Sequence, residues 1–170
     1  MGSSEHVSIF TNLIPCVCLE RLLTLCPSLS AKFGGDPNRV TVFGESAGGG
    51  SIMHQITAYG GSEGPVPFQQ ALLQSPGFAP VVSKQQEEQI FNDYLALLNV
   101  STIEEARQLP YSALQTANII QVGESIYGGF TYGPVVDGDF VPATPGELLL
   151  HGQYDKTLRI MVGHNADEVC

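Results

Sequence analysis

An α/β fold, built on a parallel or mixed sheet and interrupted by a helical insertion, is what this sequence of 170 residues predicts. Three observations lead there. Arg39-Val40-Thr41-Val42-Phe43 reads as a strand that ends in Gly44-Glu45-Ser46-Ala47-Gly48 and runs straight into a small-residue helix start. Gln70 to Gln74 and Thr157 to Val162 are short apolar runs bounded by turn signals, as buried strands are. Between them, Ile90, Phe91, Tyr94, Leu95 and Leu98 recur at the three-four spacing of a helix, and two further short helices follow without an intervening strand.

The strand Arg39 to Phe43 is the element to justify first, because chemistry sits at its end. Gly44-Glu45-Ser46-Ala47-Gly48 fits G-x-S-x-G, in which a serine occupies a strained strand-to-helix turn with its hydroxyl clear of the sheet edge. That turn requires residues without side chains two before and two after the serine, here Gly44 and Gly48. A helix beginning at Ala47 points free backbone N–H groups at any oxyanion that develops there. A glycine-rich loop would satisfy the bare pattern, but the strand before it and the helix after it argue for a nucleophile elbow.

The other elements follow in order. Met1 to Ser30 carries little regular signal, with a short helix at Leu19 to Leu25 ended by Pro27. Ile9 to Leu19 is moderately apolar, yet Asn12 and Pro15 interrupt it and no basic segment precedes it, so a cleaved leader is not expected. Gly34-Gly35-Asp36-Pro37 is a turn feeding the elbow strand. The helix after the elbow is expected from Ala47 to Tyr59, closed by Gly60-Gly61, with its glycines packed close against the sheet. Gln70 to Gln74 ends at the turn Ser75-Pro76-Gly77. Ser101-Thr102-Ile103-Glu104 reads as a capping box for a helix ending before Pro110, and Tyr111 to Ile120 is the third helix of the insertion. Asp137-Gly138 is a turn, Thr144 and Pro145 start a helix through Leu150, and the last strand opens into Gly163-His164-Asn165-Ala166-Asp167-Glu168.

Composition narrows the function classes. A net charge of −10, from 7 Lys+Arg against 17 Asp+Glu, argues against nucleic acid or an anionic membrane as partner. There is no apolar run of about 18 residues, so no membrane-spanning helix is expected. Cys16, Cys18, Cys26 and Cys170 lack the histidine partners and spacing of a zinc site. Asn99-Val100-Ser101 is an N-glycosylation sequon, relevant only in a secreted chain, and the sequence leaves the compartment and the oligomeric state open.

A serine hydroxyl needs a base, and the base needs an acid to orient it. Glu168 lies at a strand's carboxyl end, where such an acid belongs; Asp137, Asp139 and Asp167 are rivals on geometry, Asp137 being also a turn residue. His54 is two helical turns beyond Ser46, about 12 Å along the axis, too far for a hydrogen bond. His164 is nearest the acid but would have to reach across to the serine. His6 and His151 have no evident path to it.

Phe33-Gly34-Gly35-Asp36-Pro37-Asn38-Arg39-Val40-Thr41, running into Gly44-Glu45-Ser46-Ala47-Gly48-Gly49, resembles the type-B carboxylesterase/lipase family, which includes the cholinesterases. Gly133-Pro134-Val135-Val136-Asp137-Gly138 and Gly163-His164-Asn165-Ala166-Asp167-Glu168 are similar to two further blocks of that family, in the same order, and the wording is most similar to fungal members. The resemblance covers about Ala31 to Val169. It implies the central portion of an α/β-hydrolase fold, incomplete at both ends, with residues 1–30 unassigned and residues 31–170 forming a partial domain.

The resemblance also implies roles. Ser46 matches the nucleophile, Glu168 the acid, Ala47 the oxyanion N–H, and Ser51 a serine that supports the acid. Phe130 falls near the aromatic residues of the acyl pocket; a core aromatic beside Tyr127 and Tyr132 is the other reading. The implied substrate is a small carboxylic ester or lipid, with no metal or organic cofactor. The family's histidine base and its H-G-G oxyanion loop find no match here. The chain by itself is therefore expected to be nearly inactive and poorly stable. A non-catalytic binding protein on the same fold, or a truncated gene remnant, is the alternative; the intact Ser46 and Glu168 weigh against the binding protein.

Overall fold

The computed structural model describes residues 5–10, 16–77, 81–127 and 129–168, with the backbone alone described for residues 5–10 and 16–21. In chain order its elements are β1 (Glu5–Phe10), α1 (Cys16–Ser30), β2 (Gly35–Glu45), α2 (Ala47–Ile56), β3 (Gln70–Gln74), α3 (Lys84–Leu97), α4 (Ile103–Arg107), α5 (Tyr111–Gly123), α6 (Pro145–Leu150) and β4 (Arg159–Gly163). They divide into two compact units: Met1–Phe78 with Val136–Cys170, and Ala79–Val135.

The first unit is a parallel sheet in the order β1-β2-β3-β4. Consecutive strands joined by right-handed crossovers in one direction place their helices on one face. Accordingly α1 and α2 both lie against β2 and touch each other. β2 alternates as a strand with one covered face must: Val40, Val42 and Gly44 are buried, while Thr41 and Phe43 are half-buried. Ala71 and Leu73 of β3 stand beside Val42 and Gly44 in register, so they share the covered face. Leu23, Ile52, Met53, Ile56 and Phe68 complete this core. β4 differs: all five of its residues are exposed, with Met161 at 69% and Val162 at 56%.

Several boundaries depart from the sequence expectation, each for a local reason. The N-terminal stretch, unassigned from sequence, supplies β1, which pairs with β2 from Val7 beside Val40 to Phe10 beside Phe43. Residues 11–15, within the apolar stretch Ile9 to Leu19, lie outside the described residues. α1 runs through Pro27 to Ser30 instead of stopping before it. Pro27 withholds the N–H of a single helical bond, and the Ser28 and Ser30 hydroxyls donate to the carbonyls of Leu25 and Pro27 in the turn around it. α2 ends at Ile56 and not Tyr59, because Tyr59 (φ 52°) and Gly60 (φ 64°) turn left-handed. Tyr59 is held there by its N–H to the Phe140 carbonyl and by an edge-to-face contact with that ring at 5.3 Å.

The second unit is the helical insertion. Tyr94 donates its hydroxyl to the Leu114 carbonyl and Gln121 its amide to Ile90, fastening α3 to α5. The capping box of α4 is one residue later than expected: Thr102 is the N-cap and Glu105 closes the box. Thr102 has the extended backbone that a cap needs, and Glu105 reaches both the Ser101 and Thr102 N–H groups. Val81 bridges Val135 in parallel, so the insertion's entry and exit meet.

Candidate active site

β2, β3 and β4 end level with one another. Their register sets Glu45 beside Gln74 and Gln74 beside Gly163. Ser46, Ser75 and His164 therefore begin three loops at one edge of the sheet, the carboxyl edge where open α/β sheets place their ligands.

Ser46 is exposed, with φ 53° and ψ −119°, a conformation that costs a serine about 1–3 kcal/mol. The surroundings impose it. Its N–H donates to the Gln74 carbonyl at 3.0 Å, and its own carbonyl accepts from Gly50 at 3.0 Å and Gly77 at 2.8 Å. Beneath it, the backbones of strand and helix touch: a Cβ on Gly44 would lie 2.5 Å from the Gly48 carbonyl carbon and 2.7 Å from its oxygen. One on Gly49 would meet the Gly44 oxygen and Pro76 Cα at 3.1 Å. The small-residue run thus permits the close approach anticipated from sequence. Glu45 and Ala47 flank the serine and are exposed. Ala47 is the first residue of α2, so its N–H belongs to the helix turn that has no intrahelical acceptor.

Glu168 is reached through the neighbouring strand. Ser75 follows Gln74, the residue bound to the Ser46 N–H, and its own N–H donates to the Gly163 carbonyl at 2.7 Å. The Ser75 hydroxyl then donates to Glu168 Oε1 at 2.5 Å, and the Asn165 N–H donates to the same oxygen at 2.5 Å. The Ser75 hydroxyl, then the Asn165 N–H, and the nearby His164 hold the Glu168 carboxyl below the usual carboxylate range.

The hydroxyl that meets Glu168 is thus Ser75's and not Ser51's. Ser51 donates to the Ala47 carbonyl at 2.9 Å, one turn back along α2, an internal helix bond open to any mid-helix serine. Sequence reasoning passed over Ser75 as part of a turn. The signal was its position: it follows β3 as Ser46 follows β2, and it holds φ 42°.

The remaining candidates sort by their partners. Asp137 Oδ1 accepts from the N–H groups of Asp139 and Val141 beside Gly138 at φ 82°, the bonding of a turn. His54 is 1% exposed in α2, and burial holds its pKa below the ordinary value. His151 donates Nδ1–H to the Glu147 carbonyl and His164 to the Asn165 carbonyl. Among the described residues, no histidine is hydrogen-bonded to the Ser46 hydroxyl. Asp155, unremarked from sequence, is buried at the root of β4. It accepts from the Val66 N–H and from both the N–H and hydroxyl of Thr157. Phe130, in the helical unit, is 79% exposed and lines a cavity of about 820 Å³ with Ile90, Leu97, Ile126 and Thr131.

Comparison with known proteins places this geometry. The profile described as "Carboxylesterase family" matches residues 29–170. The chain is 49% identical over 138 residues to carboxylesterase patB of Penicillium expansum, covering 81% of this chain and 24% of that protein. It is 33% identical over 154 residues to lipase 2 of Geotrichum candidum, covering 81% and 27%. Among solved structures, the carboxylesterase EST55 of Geobacillus stearothermophilus superposes with a TM-score of 0.74 at 27% identity, over 90% of this chain and 31% of that one. The chain thus spans about a quarter of the length of the curated relatives it matches. With its elbow, its ordered sequence blocks and this breadth of match, the chain belongs to the carboxylesterase family.

Proposed function

We propose that the chain carries the nucleophile and the acid of a carboxylic ester hydrolase that works through an acyl-serine. The observation that carries the reading is Ser46 itself, exposed at φ 53° on the turn between β2 and α2, with the Glu168 loop leaving the same sheet edge. The Ser46 hydroxyl attacks the ester carbonyl carbon, and the oxygen that becomes negative is met by the Ala47 N–H. An imidazole takes the serine proton and delivers it to the departing alkoxide; Glu168 orients that imidazole and stabilises its charged form. Water then attacks acyl-Ser46 by the reverse proton route and releases the acid. Ser75 is a positioning residue, acting through Glu168.

None of His54, His151 and His164 fills the imidazole's role in this reading. Loss of one triad member costs about three or more orders of magnitude, so slow ester turnover is expected of the chain by itself. A diffusible imidazole supplies the missing base. In its presence, an activated acetate ester is expected to leave an acetyl group on Ser46, visible by intact and peptide mass spectrometry and absent from Ser46→Ala. Failure to find acetyl-Ser46 at saturating imidazole would overturn the assignment of the nucleophile. Fast turnover without imidazole, abolished by Ser46→Ala, would overturn the assignment of the base.

A further inference from the structure

Asn99-Val100-Ser101 is the only Asn-x-Ser/Thr sequence in the chain, and ester chemistry gives it no part. Its asparagine has an obvious structural use. Asn99 follows Leu98, the C-cap of α3, at φ 55°, the left-handed position at which helices end. The Val100 N–H donates to the Leu95 carbonyl at 3.1 Å and the Asn99 N–H to the Ala96 carbonyl at 3.0 Å, the paired bonds of a Schellman cap. Both are backbone bonds. The helix end is thereby satisfied without the Asn99 amide.

The same holds on the other side of the sequon. The Ser101 and Thr102 N–H groups donate to Glu105, and the Thr102 hydroxyl accepts from the Glu105 N–H. The cap of α4 is thus complete without the Ser101 hydroxyl. Asn99 and Ser101 are exposed, Val100 between them is half-buried, and among the described residues neither exposed side chain has a hydrogen-bond partner. Two caps close around the sequon and leave free the two groups a glycosyl transfer uses: the amide nitrogen and the hydroxyl two residues on.

We propose that Asn99 is an N-glycan acceptor whenever the chain passes through a glycosylating secretory lumen. The co-reactant is a lipid-linked oligosaccharide diphosphate. Asn99 Nδ2 forms a bond to the anomeric carbon of the first sugar, the bond from that carbon to the diphosphate oxygen breaks, the lipid diphosphate leaves, and one amide proton passes to the transferase. The glycan then projects from the α3–α4 turn into solvent, where it displaces no side chain.

The test expresses the full 170-residue chain in yeast behind a secretion leader. Lumenal and secreted material are assayed together, so retention of the chain does not hide the result. Endoglycosidase treatment is expected to lower its mass, and enzymatic release of the glycan to leave aspartate at position 99 in the peptide spectrum. Asn99→Gly separates the two uses of the residue. Glycine suits the left-handed position at least as well, so helix content by circular dichroism is retained while the mass shift is lost. Ser101→Ala loses the shift and Ser101→Thr keeps it. An unshifted parent chain overturns the proposal, as does a shift that survives Asn99→Gly.

Discussion

Ser46 and Glu168 leave the same edge of one sheet, yet opposite means hold them. The elbow is fixed by exclusion: Gly44, Gly48 and Gly49 let strand and helix backbones touch, and the strained serine has nowhere else to go. The Glu168 carboxylate is fixed by attraction: two hydrogen bonds, from Ser75 and Asn165, on a loop beyond an edge strand exposed along its length. The first arrangement fails if anything is added, and the second fails if something is taken away. A serine held by backbone contact survives any change of pH or salt that leaves the core folded, whereas a carboxylate held by exposed polar groups answers to both.

The largest effect should come from adding one carbon to the elbow. In Gly44→Ala the new Cβ meets only backbone atoms, the nearest at 2.5 Å, and no rotamer change relieves it. β2 or α2 must move, and both belong to the core formed by Val40, Val42, Ile52 and Ile56. The expected loss is about 3 kcal/mol or more, at the upper end of overpacking effects. Urea unfolding followed by circular dichroism measures it, and an unchanged midpoint would show that exclusion is not what fixes the elbow.

A smaller loss is expected at the root of the acid's strand. Asp155→Ala removes the acceptor for the Val66 N–H and for both donors of Thr157, just before β4 begins. Stranding such donors costs about 1–3 kcal/mol. Burial raises the Asp155 pKa, but the Thr157 hydroxyl and N–H and the Val66 N–H outweigh it, so the folded value lies below the usual one. The sign follows: this carboxylate's contribution is complete above the unfolded value of about 3.9 and is lost as pH falls through the lower folded value. Parent and Asp155→Ala should therefore differ in urea midpoint at pH 7 and converge below about pH 3.9. A gap that stays constant with pH would assign the loss to packing alone.

The same contrast decides what the sequence made legible. Exclusion leaves a mark in residue type, because only glycine serves at Gly44, and the elbow and the strand before it could be read from that stretch. Attraction leaves almost none. Any serine, threonine or backbone N–H can bond a carboxylate, so the resemblance offered Ser51 as the support of Glu168, when the hydroxyl that bonds it in space is that of Ser75. β1 was missed because Glu5 to Phe10 gains its meaning only from pairing with β2. The stop at Pro27 failed because a proline removes one helical N–H and need not end the helix, and the Ser28 and Ser30 hydroxyls add bonds to the turn around it. Glu168 was singled out through its sequence block and its place beyond a strand end, and the structure sets its loop after β4.

The smallest effect is the one that separates the two serines. Ser75→Ala removes a hydroxyl from Glu168 Oε1 and leaves the Asn165 N–H in place. The Glu168 pKa should then rise toward the ordinary glutamate value of about 4.3, because the largest influence lowering it is gone. Ser51→Ala should leave that titration where it was, since its hydroxyl is spent on the Ala47 carbonyl, and alanine at a helical position should keep or slightly raise stability. Carbon-detected NMR of the Glu168 side-chain carboxyl reads both variants on one scale. The folded-state bond favours the ionised form, so in the parent its contribution is present above the unfolded value of about 4.3 and fades as pH falls through the depressed folded value. In Ser75→Ala most of that fading should disappear, while in Ser51→Ala it should persist unchanged. A titration moved by Ser51→Ala and untouched by Ser75→Ala would return the acid's support to the serine that the sequence alone suggested.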